Sequence, residues 1–450
     1  MNTHPCHCKN AVIKEKARAC SEDLLRFLAA SPTAWQAVAT AEKELQAAGF
    51  SKYEQVEKLS LQPGCKGYFT QNDSALLAFH IGEKPLENGF RVFGAHSDSP
   101  SLKIKPQAVS LSEGVLRLNV EVYGGPLLYT YFDRPLSLAG RVALRGSSPL
   151  EVEMRLIDFK KPILILPNLA IHMENKSNNG QEIAREKDIL PFISLACNCP
   201  EDEQKNFLNY LIAEELGCAE EDILDFELMV YEVNPPSFCG VDDCFISSGR
   251  LDNLAMFKAG LNALTKNASY IKSGSGIKVL LISDNEEVGS RTKQGANGLI
   301  FRDLLERIVL GLGGDRENFL QIFSKSFMIS ADLAHAAHPN FPEKADPDHR
   351  PRVNGGPVIK LSASQSYASD AYSSAVFEQL ADAAGVPCQK FVNKSNMRGG
   401  STIGPLGSSI IPMPTVDCGN AIWGMHSLRE TGGSLDQYYL EKLVGEFFAL

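Results

Sequence analysis

The apolar residues of this chain change their period twice along its length, and that change limits its fold more than any other feature. Before about Ser101, and again after Gly249, short apolar runs alternate with segments of helical spacing. Ala75 to Ile81, Phe90 to Phe93, Lys278 to Ser283 and Phe327 to Ala331 read as strands, and Leu251 to Leu264 and Gly298 to Leu310 as helices. Strands this apolar are covered on both faces, which predicts an α/β domain with a central, mostly parallel sheet flanked by helices. Leu24, Leu25, Phe27 and Leu28 mark an early helix, and Ser31-Pro32 opens another that stops at Gly49. From Ser101 to Glu232 the texture alternates apolar with polar, as in Val115 to Val120, Arg141 to Leu144 and Glu151 to Met154, with a helical segment from Gln204 to Leu216. Alternation of that kind belongs to half-buried antiparallel strands. The expected organisation is one domain of residues 1–103 and 247–450, interrupted by a β-rich domain of residues 104–246.

Length and charge remove several function classes. At 450 residues the chain exceeds one ordinary core, and a formal charge of −10 with pI near 5.5 repels phosphate backbones, so no nucleic-acid partner is expected. The longest apolar stretches, such as Pro162 to Ile171, are broken by Pro and Asn and are too short to span a bilayer; no membrane partner is expected either. Met1 to Cys20 holds no apolar export segment, and the 11 cysteines lack a paired framework, which together predict a reducing, cytoplasmic location. Cys6-His7-Cys8 and Cys197-Asn198-Cys199 are close pairs, one residue too tight for a usual zinc knuckle.

Ligand-type residues gather where an α/β sheet places its site, beyond the carboxyl ends of strands. His96 and Asp98 follow the Phe90 strand, Asp284, Glu286 and Glu287 follow the Lys278 strand, and Asp332 follows the Phe327 strand. One acid in a strand-end loop is ordinary; three such strands are harder to dismiss. In an extended His-x-Asp the two side chains share a face, so Asp98 can accept the ring N–H of His96 and fix its tautomer for a metal. Glu286 and Glu287, neighbours in an extended segment, face opposite ways, leaving one to bind metal and the other to move protons. Asp252 opens a helix, where capping is its commoner role, yet two cations about 3.5–4 Å apart need such an anionic bridge. His426 supplies another imidazole. His335 and His338 are spaced like a helical metal pair, but Pro339 follows and no His-Glu-x-x-His is present. No Gly-x-Ser-x-Gly elbow points to a serine nucleophile.

In this order, Gly94-Ala95-His96-Ser97-Asp98-Ser99-Pro100, Tyr123-Gly124-Gly125, Phe132-Asp133-Arg134, Leu251-Asp252-Asn253-Leu254, Asp284 to Ser290, His338-Pro339-Asn340 and Met425-His426-Ser427 resemble the signatures of the aspartyl aminopeptidase family of zinc metallopeptidases. The resemblance runs from about residue 20 to the C-terminus. It implies two zinc ions per subunit, with Mn2+ or Co2+ an alternative at one site. His96 and Asp332 would hold one ion, Glu287 and His426 the other, and Asp252 would bridge them. Glu286 becomes the general base, Asp98 the acid that orients His96, and His335 and His338 lie off the metals. The family fold further implies that the inserted domain is a dimerisation domain, and that dimers build a tetrahedral dodecamer in which His172 reaches a neighbouring subunit's site as a catalytic and substrate-binding residue. Lys360 and Met425 match substrate-binding positions, and a cation at Lys360 would favour Asp or Glu as the first residue. Tyr131, and the loop from Asn393 to Gly400, depart from the commoner family forms.

The implied reaction is release of single residues from peptides with a free N-terminus. A metal-bridging water gives a proton to Glu286, the hydroxide attacks the scissile carbonyl, and Glu286 hands the proton to the departing amine. Two other readings stay open on sequence alone. One is a two-zinc carboxypeptidase or deacylase, the other a non-catalytic assembly stabilised by metal, against which Glu286 beside Glu287 argues because a structural site has no use for a spare base.

Overall fold

The computed structural model describes residues 11–173, 178, 180, 182–266, 275–397 and 399–450; Cys6-His7-Cys8 lies outside the described residues. Contacts divide the chain into two units. One comprises Met1–Asp98, Pro236–Met425 and Glu430–Leu450, the other Ser99–Pro235 and His426–Arg429.

The first unit is built on a nine-stranded sheet. At its centre the strands Ile277–Ser283, Phe90–His96, Phe327–Ala331 and Thr415–Gly419 run parallel, flanked by the antiparallel neighbours Ala75–Ile81 and Val358–Leu361. Most pairings are parallel, as the continuous apolar runs predict. Alternate residues serve opposite faces. Leu76, Ala78, Phe93, Ala95, Leu280 and Ile282 enter one core with the helices Ala11–Ala29, Ala34–Ala47, Leu251–Lys266 and Asp436–Ala449. Leu77, Phe79, Val92, Val279 and Leu281 enter the other, under Ile300–Gly311 and Arg316–Ile322. Each Leu, Ile, Val or Phe among them, removed from water, contributes roughly 1.5–3 kcal/mol. Gly260 lets the Leu251–Lys266 helix lie directly on the sheet, because a Cβ there would sit 2.5 Å from the Phe93 ring. The N-cap of the Ala34–Ala47 helix is Thr33, where φ is −140°, rather than Ser31. With φ of −140° and ψ of 172° Thr33 is itself extended, so no helix runs from Pro32 through it and Ala34 is the first helical residue.

A second, five-stranded sheet in this unit joins Ser237–Cys239, Phe245–Ser248, Glu430–Gly433, Ala421–Trp423 and Ala334–His335. Strands this short carry too few residues for a visible period, and the sequence gives no sign of them. Among the described residues no helix is long and apolar enough to cross a membrane.

Two buried charged sites lock the helices. Lys258, 1% exposed, places its ammonium 2.6 Å from Glu44 and 3.1 Å from Asp23, joining three helices above the Phe27 ring. Asp436 is 2% exposed and accepts hydrogen bonds from the main-chain N–H groups of Asn354 and Gly356, at 2.6 and 2.9 Å. Burial outweighs those two donors and pushes its pKa from 3.8 up to about 7. Between those values the unfolded chain has released this proton while the folded chain holds it, so the group's contribution is full below about pH 4 and is lost as pH rises to about 7. The loss is roughly 1.4 kcal/mol per pH unit. The stability difference between wild type and Asp436→Asn, measured by urea unfolding, is therefore expected to shift against the wild type across that window and to level off above it. A difference that stays flat with pH would count against the assignment.

The second unit is a six-stranded antiparallel sheet in the order Val152–Asp158, Leu136–Arg145, Ile223–Glu232, Ser101–Ser112, Val115–Tyr123, Phe192–Leu195. Leu102, Leu118, Val120, Leu138, Val142, Leu228 and Val230 fill one face together with Leu208 and Ile212 of the helix Phe207–Leu216. A distant tetrapeptide completes it. Leu428 enters this core, its N–H donates to Thr130 Oγ1 at 2.9 Å, and Arg429 donates to Glu232 at 2.8 Å and to the carbonyls of Asn234 and Pro235 at 3.2 and 2.7 Å.

Candidate metal centre

The site begins with a histidine inside a strand. The Phe90 strand extends to His96, further than its apolar run, because Ser283 of the neighbouring strand pairs with His96 in register. The imidazole is 1% exposed. Its Nδ1 lies 3.0 Å from the main-chain oxygen and 3.2 Å from the carboxylate of Asp98, so both oxygens of that residue favour a proton on Nδ1. Nε2 faces Asp252 Oδ1, 3.5 Å away, and Asp332 Oδ1, 3.7 Å away.

Asp98 does more than orient the ring. Its two carboxylate oxygens accept the main-chain N–H groups of Glu286 and Glu287, at 3.1 and 3.2 Å. Those two glutamates are not in extended chain but open a 3-10 turn, Glu286–Val288. Three residues per turn separate neighbouring side chains by about 120°, so the pair still diverges, though by helical rather than strand geometry. Asp284, just before, accepts from Ser74 Oγ at 2.6 Å, which ties this loop to the start of the Ala75–Ile81 strand.

Asp252 occupies a distorted first turn, with ψ of 107° and a cis peptide to Asn253. Its N–H donates to Glu430 at 3.0 Å, while Asn253 donates to the Ala331 carbonyl at 2.8 Å. Glu430 escaped the sequence reading, since a carboxylate that holds a main-chain group 178 residues away leaves no local trace. Asp332 follows directly on the Phe327–Ala331 strand; its N–H donates to the Cys418 carbonyl at 2.8 Å and its Oδ2 lies 3.2 Å from the Lys360 ammonium. Gly419 makes room for this residue, since a Cβ there would meet the Asp332 carbonyl at 1.9 Å.

His96, Asp252 and Glu287 each offer one ligand atom, all within 4.8 Å of one another. One imidazole nitrogen with carboxylate oxygens is a donor set that suits zinc. The electrostatics agree. Burial raises Glu286 to about 7, with Asp332, Asp98 and Asp252 adding to the rise and His96 opposing it. Glu287 is also raised well above 4.5, by burial and then Asp252, and Asp284 reaches about 7 by burial and Asp98. Burial opposes a charge on His96, yet Asp252, Asp332 and Asp98 hold its pKa well above 6.5. So many carboxyl groups crowded out of water with one imidazole are relieved by a bound cation.

Lys360 is 3% exposed, stacked 5.5 Å from the Tyr367 ring and paired with Asp332. Met425 packs on the edge of the first unit's core. His426 belongs to the second unit, where its Nδ1 lies 3.1 Å from the Gly125 carbonyl and its own carbonyl accepts from Leu127. His172 is exposed on a turn of that unit. His335 and His338 lie against Phe391 and Phe341. Cys197 is exposed, and the Cys199 thiol points to the Pro200 carbonyl.

Comparison with known proteins places this arrangement in context. A family model for aminopeptidase I zinc metalloproteases (M18) matches residues 27–448. A probable M18 family aminopeptidase 2 of Clostridium novyi (strain NT) is 47% identical over 432 residues, which is 96% of this chain and 98% of the relative. Among solved structures, a chain of the Ape4 and Nbr1 complex, seen by cryo-EM, superposes with a TM-score of 0.93 at 33% identity, covering 100% of this chain and 88% of that one. The S. cerevisiae mApe1 dodecamer is similar with a TM-score of 0.83 at 26% identity, covering 96% of each chain.

Proposed function

This chain belongs to the M18 family of zinc aminopeptidases, and on that premise we propose that it removes single N-terminal residues at a two-zinc site, with a preference for Asp or Glu. The observation that carries the reading is the meeting of buried His96 and Asp252 with half-buried Glu287, beside a second glutamate, Glu286, that is held by the same Asp98 carboxylate. His96 and Asp332 would hold one zinc, Glu287 and His426 the other, with Asp252 between them; His426 enters on family likeness. Bound there, zinc supplies Lewis acidity to the scissile carbonyl and brings the ionisation of water towards neutrality.

The chain's own residues do the rest. Glu286, set beside the cluster by the hydrogen bond from its N–H to Asp98, can take a proton from the attacking water and return it to the departing amine, which makes it the proton carrier. Asp98 acts twice, through the imidazole of His96 and through the N–H groups that place Glu286 and Glu287. A carboxylate of the site that accepts the substrate's free α-amine would confine cleavage to the chain end. The acidic preference rests on Lys360 and on likeness to the family, although the Lys360 ammonium is already beside Asp332.

Assembly into dimers through the second unit, and of dimers into a tetrahedral dodecamer, is part of the same reading. The dodecameric relative supports it. So does the surface around His172, where Leu169, Ile171 and Met173 are 56%, 49% and 74% exposed, an apolar segment suited to being covered by another subunit. A cytoplasmic location follows from composition, with 11 cysteines outside any paired framework.

The test is hydrolysis of Asp-, Glu-, Leu- and Lys-terminated chromogenic amides by the zinc-loaded protein, beside an N-acetylated control. Chelator-sensitive release from the acidic amides, absent with the blocked one, is the expected result. Preference for Leu would remove Lys360 from the specificity argument, and turnover of the acetylated substrate alone would replace the aminopeptidase with a deacylase.

A further inference from the structure

Glu286 and Glu287 are held on one side by Asp98; on the other they follow Asn285, a residue with more ties than its place in a surface-type loop requires. Asn285 has φ of 58°, a left-handed conformation that asparagine tolerates better than most residues. Its Oδ1 accepts two hydrogen bonds, from Thr292 Oγ1 at 2.9 Å and from Gln294 Nε2 at 2.8 Å. Its N–H donates to Asp284 Oδ1 at 2.7 Å and its carbonyl accepts from Ser290 at 2.8 Å. The Gln294 carbonyl, in turn, accepts from Asp284 at 3.1 Å. One residue thus closes the loop from 284 to 294 through both its main chain and its side chain, immediately before the two glutamates.

We propose that Asn285 is a positioning residue: its carboxamide, pinned by Thr292 and Gln294, sets the direction in which the Glu286–Val288 turn leaves the strand, and so where both carboxylates sit against His96 and Asp252. This rests on the aminopeptidase reading for its catalytic part, but not for its zinc-binding part. The two anchors are complementary. Asp98 fixes the N–H groups of the turn, while Asn285 fixes the peptide from which the turn springs. A left-handed residue alone would satisfy the backbone, and glycine does that equally well. The carboxamide is what glycine lacks.

The experiment compares wild type with Asn285→Gly, Thr292→Val and Thr292→Ser. Three readouts are taken: kcat and KM on an aminoacyl amide, zinc affinity of the metal-free protein by competition with a chromophoric chelator, and melting temperature. Asn285→Gly is expected to lower kcat about 100-fold with KM within about twofold, and to weaken zinc binding by about tenfold, with little change in melting temperature. Thr292→Val should move kcat and zinc affinity the same way by less, and Thr292→Ser, which keeps the hydroxyl, should restore both. Wild-type zinc affinity and kcat in Asn285→Gly would overturn the proposal, as would a fall in melting temperature with both left unchanged. If the wild type hydrolyses no free-amine substrate, the aminopeptidase reading fails while the zinc comparison still decides the role of Asn285.

Discussion

Replacing Glu286 with Gln is expected to reduce kcat by about 10³-fold while zinc content, KM and melting temperature stay close to wild type. The substitution keeps size and the main-chain N–H that Asp98 holds at 3.1 Å, and removes only the ability to carry a proton. The neighbouring residue should behave otherwise. Glu287 offers a ligand atom to the cluster with His96 and Asp252, so Glu287→Gln is expected to lose zinc first and activity as a consequence. Metal analysis after dialysis, run beside the kinetics, separates the two cases. A kcat within tenfold of wild type in Glu286→Gln would remove this residue as the proton carrier and send the search to another group of the cluster.

The second large effect lies far from the chemistry. Lys258→Met is expected to destabilise the protein by about 3 kcal/mol, because it strands the Glu44 carboxylate rather than because it removes one favourable contact. Lys258 is 1% exposed, and Glu44 and Asp23 come within 2.6 and 3.1 Å of its ammonium. Burial works against a charge on Asp23, yet Lys266 and Lys258 hold its pKa far below the usual carboxylate range. Without Lys258, Asp23 keeps Lys266 as a partner, whereas Glu44 is left with a charge and no cation within the pair. Combining Lys258→Met with Glu44→Leu should therefore recover a good part of the loss, since an apolar pair of similar volume often replaces a buried ion pair at little cost. Chemical denaturation of the single and double variants measures both. A single variant within 1 kcal/mol of wild type would show that water reaches Glu44 well enough to make the pair dispensable.

The parts of this molecule that could be read in advance are those in which a local pattern has one physical meaning. Ala75–Ile81 and Phe327–Ala331 are found as strands with the expected limits, because a run of that length that is apolar but for one residue is buried on both faces and turns polar where it leaves the sheet. The same property brought His96 and Asp332 into view. The five-stranded sheet could not be seen, being assembled from pieces as short as Ala334–His335 and from partners as remote as Phe245–Ser248 and Glu430–Gly433. Within the site, the ligand-type residues and the orienting Asp98 stood out by chemistry, whereas the other groups that aim them did not. Glu430, Ser74 and Asn285 are ordinary polar residues in sequence, and only the closed structure shows the first on Asp252, the second on Asp284 and the third at the root of the glutamate turn. Lys360 shows the limit from the other side. A lysine carried to a pocket by likeness is, in the structure, 3.2 Å from a carboxylate that the same likeness assigns to metal.

The tetrapeptide His426–Arg429 gives the chain an unusual modularity. The second unit looks like an insertion that could be excised between Asp98 and Pro236, yet its core is incomplete without Leu428, and its exit strand is fastened by Arg429, both supplied from the far end of the sequence. A fragment cut at the obvious borders would carry a gap where Leu428 belongs, and Glu232 would lose its nearer guanidinium, Arg429 at 2.8 Å, and keep only the more distant Arg134 at 3.7 Å. In the growing chain this unit must wait for nearly the whole sequence before it can close, so it is a domain in space without being a domain in synthesis.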